Sequence, residues 1–325
     1  MKLDLQKIKS ITFGAASVRE ANGEFVFDRF TEQQLQVYKE YRTDEMLKRA
    51  LTSAGIRLTF ETDSDSFAFS YTHNSDYSFG LAYIEVRVND ELAKFFTVDA
   101  GQVGVRAEVL LPEGKNKVDL YFPWQKSISL SDVTLDDGAT VTPVKRSRVM
   151  INYGDSITHG VNAQLPSGSY AARIAKMLDA DAYNKAVAGE RFIPELLEPY
   201  EPIKPDIVTV AYGTNDWFRH SRETVIRRSR DFLSRVSEKF PTVKIFVISP
   251  IWRAMGENRP KFDGSVTEIH GIIEENCKDL KNMIIFNGMD LLPHDPTLYK
   301  DGLHPTDTGM EIYANALYEK IKKYI

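Results

Sequence analysis

Val149-Met150-Ile151-Asn152-Tyr153-Gly154-Asp155-Ser156-Ile157-Thr158-His159-Gly160 is the stretch whose reading decides the fold. It opens on an apolar run, the pattern of a strand buried on both faces. A serine follows, held between Gly154 and Gly160. Such a serine can sit on a sharp turn at the carboxyl edge of a parallel sheet. Open α/β sheets place their ligands on that edge. The glycines permit the turn and leave room for a substrate to approach. Gly-Asp-Ser also occurs in ordinary turns, so the stretch needs partners elsewhere in the chain.

Downstream, apolar runs at 182–187, 207–212, 243–248 and 283–286 read as further strands. Amphipathic helices separate them. Tyr170, Ile174, Met177 and Leu178 share one helical face, and Val225, Phe232, Leu233 and Val236 share another. The last helix aligns Met310, Tyr313, Ala314, Leu317 and Ile321. Strands alternating with helices predict a parallel sheet covered on both faces.

Upstream the period changes to two. Ile56, Leu58 and Phe60 alternate with Arg57, Thr59 and Glu61, and the runs at Phe67–Tyr71, Ile84–Val88 and Val118–Phe122 behave alike. Turn residues punctuate them at 63–65, 74–76, 89–90, 99–101 and 113–114. Short alternating strands with such punctuation predict a β-sandwich. One helix is expected at 43–54, with Gly55 as its left-handed cap. The boundary falls near Pro143-Val144-Lys145-Arg146, giving a β-sandwich domain at 1–145 and an α/β domain at 146–325.

The bulk numbers exclude several classes. At 42% hydrophobic and 27% charged residues, the 325-residue chain has material for a real core. A net charge of -5 argues against a general nucleic-acid binder. Cys277 is the single cysteine, so no intrachain disulfide forms and a reducing compartment is natural. No stretch has the length and apolarity of a membrane span, and the first residues lack an apolar leader. The expectation is a cytoplasmic protein, or a secreted one if a leader has been removed. Self-association into a homo-oligomer is left open.

Other features read blandly. Asp63-Ser64-Asp65-Ser66 lacks the glycine and terminal glutamate of a calcium loop and is expected to be a turn. Tyr121, Phe122 and Trp124 suit core packing better than a sugar platform. The arginines at 219–235 alternate with acids, as on a solvated helix face. Cys277 has no histidine–cysteine cluster around it.

Three segments answer the serine. Asp301-Gly302-Leu303-His304 puts an acid three residues before a histidine. In a turn, the carboxylate then holds one ring nitrogen while the other faces Ser156. A serine hydroxyl needs such a base at neutral pH. The acid fixes the tautomer and stabilises the imidazolium. Asn184 to Gly189 and Tyr212 to Asp216 follow the second and third strands on the same edge. The Gly189 N–H, the Asn215 amide and the Ser156 N–H can converge as an oxyanion hole. His294 is the rival base but lacks the preceding acid. Asp155 and Asn184 are expected to brace their loops. Trp217, Trp252 and Arg253 follow strand ends and are candidates to wall the substrate pocket.

Taken in this order, the four blocks resemble the SGNH hydrolase superfamily, also called the GDSL-type esterases. The resemblance runs from about residue 147 to the end. It implies a three-layer, flavodoxin-like α/β domain. Block by block, it implies Ser156 as nucleophile, Gly189 and Asn215 as oxyanion donors, His304 as base and Asp301 as its acid. Two departures stand out: His159 beside the nucleophile, and alanines in the glycine block. The stretches 55–60 and 118–121 resemble the jelly-roll that precedes this domain in carbohydrate esterase family two. That layout implies a short acyl ester, acetyl first, on a carbohydrate. Alternatives are a lipid or thioester acyl hydrolase, or a non-catalytic carbohydrate-binding protein. The chemistry requires no metal or organic cofactor. The expected partner is a small-molecule or carbohydrate ester, with neither nucleic acid nor membrane.

Overall fold

In the computed structural model, which describes residues 1–76, 80–255 and 260–325, the five apolar runs pair side by side. The parallel sheet has the order Ala180–Asn184, Arg148–Gly154, Ile207–Ala211, Lys244–Ile248, Met283–Phe286. Winding reverses between Arg148–Gly154 and Ile207–Ala211. A doubly wound sheet opens its ligand crevice at such a reversal. Alternation within the strands feeds two cores. Ile151, Tyr153, Val208, Val210, Ile245 and Val247 face the helices Arg222–Lys239 and Glu268–Cys277. Met150, Ile207, Phe246 and Ile248 face Tyr170–Met177 and Asp307–Ile321. Ser169, Ser221 and Thr306 each accept a backbone N–H as N-caps, which fixes where three of these helices start.

Two antiparallel sheets precede it. One runs Thr12–Phe13, Arg57–Thr62, Asn116–Tyr121, Ala82–Val88, Glu91–Val98, with Thr142–Pro143 also on Arg57–Thr62. The other runs Ser17–Ala21, Glu24–Asp28, Lys126–Leu135, Ser66–Asp76, Val105–Leu110. Phe60, Phe67, Phe69, Val86, Leu120 and Leu130 fill the space between them. Asn89 and Asp90 both have positive φ, 52° and 71°, and close the hairpin between Ala82–Val88 and Glu91–Val98. The predicted turn at 74–76 is instead the end of Ser66–Asp76, because Ser75 and Asp76 pair with Ser127 and Lys126.

Among the described residues of this part of the chain, the single predicted helix is one of three. Leu5–Ile11 and Glu32–Tyr41 have short or weak apolar stripes, which hid them. The helix expected at 43–54 is Asp44–Ala50, capped by Thr43. It closes on Leu51 in a right-handed conformation, so Gly55 lies beyond it and is not its cap. Phe30, Val37, Tyr38, Met46 and Ala50 pack into the core of the parallel unit, together with Val187, Phe192 and Leu196. The chain therefore wraps residues 30–50 around the α/β layer before it completes the sandwich.

The bland readings have clear surroundings. Asp136 accepts the N–H groups of Asp65 and Ser66 and the hydroxyls of Ser64 and Ser66, which makes the acidic cluster a braced turn. Phe122 is fully buried in the sandwich. Arg222, Arg228 and Arg235 pair with Glu268, Glu195 and Glu198. Cys277 is buried, and burial pushes its thiol up to about 12. Among the described residues, no helix is long and apolar enough to cross a membrane.

Candidate active site

Arg148–Gly154 delivers Ser156 to the sheet edge. A Cβ on Gly154 would come within 2.2 Å of the Thr158 hydroxyl oxygen, so only glycine permits the chain to fold back here. Asp155 then caps the short helix Ser156–His159, accepting the Ile157 N–H at 3.1 Å. Burial raises the Asp155 carboxyl to about 6, against the opposing pull of that hydrogen bond and of His304. Ser156 itself is half-buried.

The structure brings Ser156, His304 and Asp301 into one relay. His304 Nε2 lies 2.8 Å from Ser156 Oγ, and His304 Nδ1 lies 2.7 Å from Asp301 Oδ2. The other Asp301 oxygen accepts the N–H groups of Leu303 at 3.0 Å and His304 at 2.7 Å. Partial burial alone would raise the Asp301 carboxyl. The bonds from His304 and Leu303 outweigh it and hold the group below its ordinary value. An ionised carboxylate on Nδ1 puts the proton there and leaves Nε2 as acceptor toward the serine. His294 is elsewhere. It is exposed, stacks on Trp252 at 5.2 Å, and meets the Met289 carbonyl.

Gly189 and Asn215 reach the same edge. The Gly189 loop is tied to the nucleophile strand by Lys185 N–H to Asn152 O, 2.8 Å, and Val187 N–H to Gly154 O, 3.1 Å. Gly189 has φ +83°, and a Cβ there would lie 2.6 Å from Arg49 Nη1. Among the described residues, the N–H groups of Ser156 and Gly189 meet no acceptor. Asn215 sits in the helix Thr214–Arg219, and its Nδ2 donates to Glu190 O at 3.1 Å. One amide hydrogen is thereby fixed, and the other makes only a long contact, 3.5 Å to Asp155 Oδ2. Beside it, Asp216 is fully buried and accepts the Phe192 N–H at 3.1 Å; burial raises it to about 7. Asn184 braces the loop, donating to Thr158 O at 2.9 Å and accepting from the Ala186 N–H.

The three candidate wall residues separate. Trp217 is buried, with its indole N–H on Gly264 O at 2.9 Å and Arg253 over its ring at 5.3 Å. It supports Arg253 from behind. Arg253 acts electrostatically on Asp155. Trp252 lies half-buried between His294 and Tyr299.

Sequence reasoning missed a set of residues that hold the Gly189 loop. Arg49 donates to Ala188 O at 2.6 Å. Arg29, buried, donates to Asn184 O, Ala186 O, Ala50 O and both oxygens of Thr52. Lys185 Nζ, fully buried, reaches Arg29 O at 2.6 Å and Gln34 Oε1 at 3.0 Å. Burial lowers that ammonium to about 8. Arg42 pairs with Glu190 at 2.9 Å. His159 closes the junction. Its Nδ1 accepts the Ala188 N–H at 3.0 Å, which puts its proton on Nε2, 2.9 Å from Trp124 O and 3.0 Å from the Thr52 hydroxyl. No motif flags these residues, because their partners lie far away in sequence.

Comparison with known proteins agrees with this architecture. Residues 153–312 match the family model of the GDSL-like lipase/acylhydrolase family. The salicylyl-acyltransferase SsfX3 of a tetracycline biosynthetic pathway superposes with a TM-score of 0.79 at 22% identity, covering 96% of this chain and 94% of that one. A family two carbohydrate esterase from Clostridium thermocellum, solved with cellohexaose, gives 0.66 at 18% identity over 84% and 93%. The acetyl xylan esterase Est2A of the rumen bacterium Butyrivibrio proteoclasticus gives 0.61 at 16% over 84% and 90%. At these identities the neighbours speak for the fold, sandwich included. No curated protein matches significantly by sequence. Residues 153–312, which carry the Gly-Asp-Ser turn and the Asp301–His304 turn, form a GDSL-like lipase/acylhydrolase domain of the SGNH type, and the protein is a serine hydrolase.

Proposed function

We propose that the protein hydrolyses a short-chain acyl ester, acetyl foremost, carried on a carbohydrate. Ser156 is the nucleophile, His304 the base and Asp301 its acid. Ser156 Oγ attacks the ester carbonyl while His304 Nε2 takes its proton. The carbonyl oxygen becomes an oxyanion and is met by the N–H groups of Ser156 and Gly189 and the Asn215 amide. Collapse breaks the carbonyl–alkoxy bond, and His304 returns the proton to the leaving alcohol. Water then repeats the sequence on the acyl-enzyme and frees the acid. Arg253 and Trp252, with Trp217 behind, wall the acyl side. The division into a sandwich at 1–145 and a catalytic domain at 146–325 belongs to the same proposal, with residues 30–50 as a strap across it.

One observation carries the mechanism: the continuous relay of 2.7 Å and 2.8 Å from Asp301 through His304 to Ser156. The carbohydrate part draws support from two structural neighbours, an acetyl xylan esterase and a family two carbohydrate esterase solved with cellohexaose. A p-nitrophenyl ester series tests the acyl length. Acetate should be cleaved best, and a preference for long chains would redirect the reading to lipids. Acetate release from a panel of acetylated sugars tests the alcohol, and no release from any of them would sink the carbohydrate assignment.

A further inference from the structure

A large recess lies where the sandwich meets the catalytic loops. It has a volume of about 630 Å³, within the range of small-molecule sites. Leu81, Tyr83 and Gln125 line it from the sandwich side, and Asn162, Gln164 and Lys300 from the catalytic side. None of these residues has entered the catalytic scheme.

The catalytic wall is tied directly to the reacting groups at two points. Lys300 donates its N–H to His304 O at 3.0 Å, and Thr306 on the same wall lies two residues past the histidine. Val161, next to Asn162, donates to Ser156 O at 3.0 Å. The recess therefore opens beside the histidine turn. The stereochemistry of acyl transfer gives that position a meaning. The leaving oxygen must take its proton from His304 Nε2, so the alcohol half of the ester lies on the histidine side of Ser156. The oxyanion donors, Gly189 and Asn215, come from the loops after the second and third strands, away from the histidine turn.

The lining has the character of a sugar site. Leu81 is 63% exposed, although a leucine that nothing covers loses the benefit of burial. Tyr83 offers a half-buried ring, held edge-on by Phe95 at 5.2 Å. Amides surround these apolar groups. Gln125 donates to Leu81 O at 3.0 Å, and among the described residues its Oε1 has no partner. Asn162 Nδ2 likewise has none. Buried amide atoms without partners are costly, and their cost is recovered when a neighbouring group binds them. Pyranose rings present the matching surface: apolar C–H faces rimmed by hydroxyls.

From this geometry we infer that the recess binds the alcohol half of the substrate, a polyhydroxylated group of one or two sugar rings. The sandwich thereby contributes one wall of the substrate site. The inference rests on the ester-hydrolase reading above and on its carbohydrate assignment.

The test compares two leaving groups that share one acyl group. kcat/KM is measured for acetylated cellobiose or xylobiose and for p-nitrophenyl acetate, and their ratio is taken. Leu81→Asp and Gln164→Trp change exposed side chains, so the fold should survive; circular dichroism checks this. The first removes the apolar platform and the second fills the recess. Each should lower the ratio about tenfold or more, through a higher KM for the sugar ester. Wild-type cleavage of the sugar ester with an unchanged ratio in both variants would overturn the recess as the alcohol site while sparing the function. No cleavage of any sugar ester by wild type, with p-nitrophenyl acetate still hydrolysed, would overturn the carbohydrate assignment and this inference with it.

Discussion

Two loops meet at Ser156 and are built in opposite ways. The histidine turn is self-contained. Asp301 accepts from Leu303, from the His304 N–H and from the His304 ring, all within three residues. The Gly189 loop is held from a distance. Arg49 reaches Ala188 across 139 positions, and Arg29 reaches Ala186 across 157. His159 and the Arg42–Glu190 pair add further remote ties. Local bonds hold the turn proposed for proton transfer, whereas residues 29–49 hold the loop proposed for the oxyanion. The N-terminal part of the chain thus props the loop that carries Gly189.

The most severe break should come in the self-contained half. His304→Ala should lower kcat by about ten-thousandfold or more, since losing the base disables the serine with it. His294→Ala should keep most activity, because His294 stacks on Trp252 away from Ser156. Steady-state rates with p-nitrophenyl acetate decide this. A dead His294→Ala beside an active His304→Ala would refute the relay. Ser156→Ala should likewise be dead and should escape labelling by a fluorophosphonate probe.

A smaller loss is expected in the oxyanion half. Asn215→Ala should cost about a hundred- to a thousandfold in kcat with little change in KM, as for the loss of one donor to charge that appears in the transition state. An unchanged kcat would take Asn215 out of the oxyanion hole.

Smaller again is the effect that bears directly on the contrast between the loops. Arg49→Met removes the bond to Ala188 O without touching any group proposed to meet substrate. One charged hydrogen bond is worth about 1.5–3 kcal/mol, so kcat should fall about tenfold or more if the bond sets the Gly189 N–H. KM should hold, and Arg49→Lys should recover part of the loss. Full activity in Arg49→Met would mean that the Gly189 loop holds its shape unaided.

The same contrast explains what could be read from the sequence. Asp301 and His304 stand three apart, so spacing alone exposed their partnership. The apolar runs exposed the parallel sheet, because strands buried on both faces leave few polar residues. Arg29, Arg49 and Lys185 carry no mark in the sequence, since a buried cation is recognisable only by partners that folding supplies. Glu32–Tyr41 failed for a related reason: its buried face is little more than Gln34, Val37 and Tyr38. The sandwich was legible as strands, yet its wall on the recess was not, because Leu81 and Gln125 are far apart in sequence.

The mildest effect concerns His159 and is read as stability against pH. Burial is the main reason its ring pKa lies well below the usual 6.5, with Arg29 and Arg49 adding repulsion. In the unfolded chain the ring takes up a proton as pH falls through about 6.5, whereas in the folded protein it stays neutral. The unfolded state then binds more protons, so the folded state loses stability on acidification, by up to about 1.4 kcal/mol per pH unit for one site. Asp155, raised to about 6, and Asp216, raised to about 7, act in the opposite sense. They keep protons in the folded state that the unfolded chain has already released, and so add stability as pH falls toward 4. The wild-type curve therefore mixes the two signs, and the comparison must be with His159→Gln. Urea unfolding at pH 7.0, 6.0 and 5.0 should show wild type losing its advantage over the variant step by step below pH 6.5. A constant difference would mean that the folded protein accepts a proton on His159 as readily as the unfolded chain. The neutral bridge from Trp124 to the Ala188 N–H would then not hold, and the oxyanion half would lose one of its remote ties.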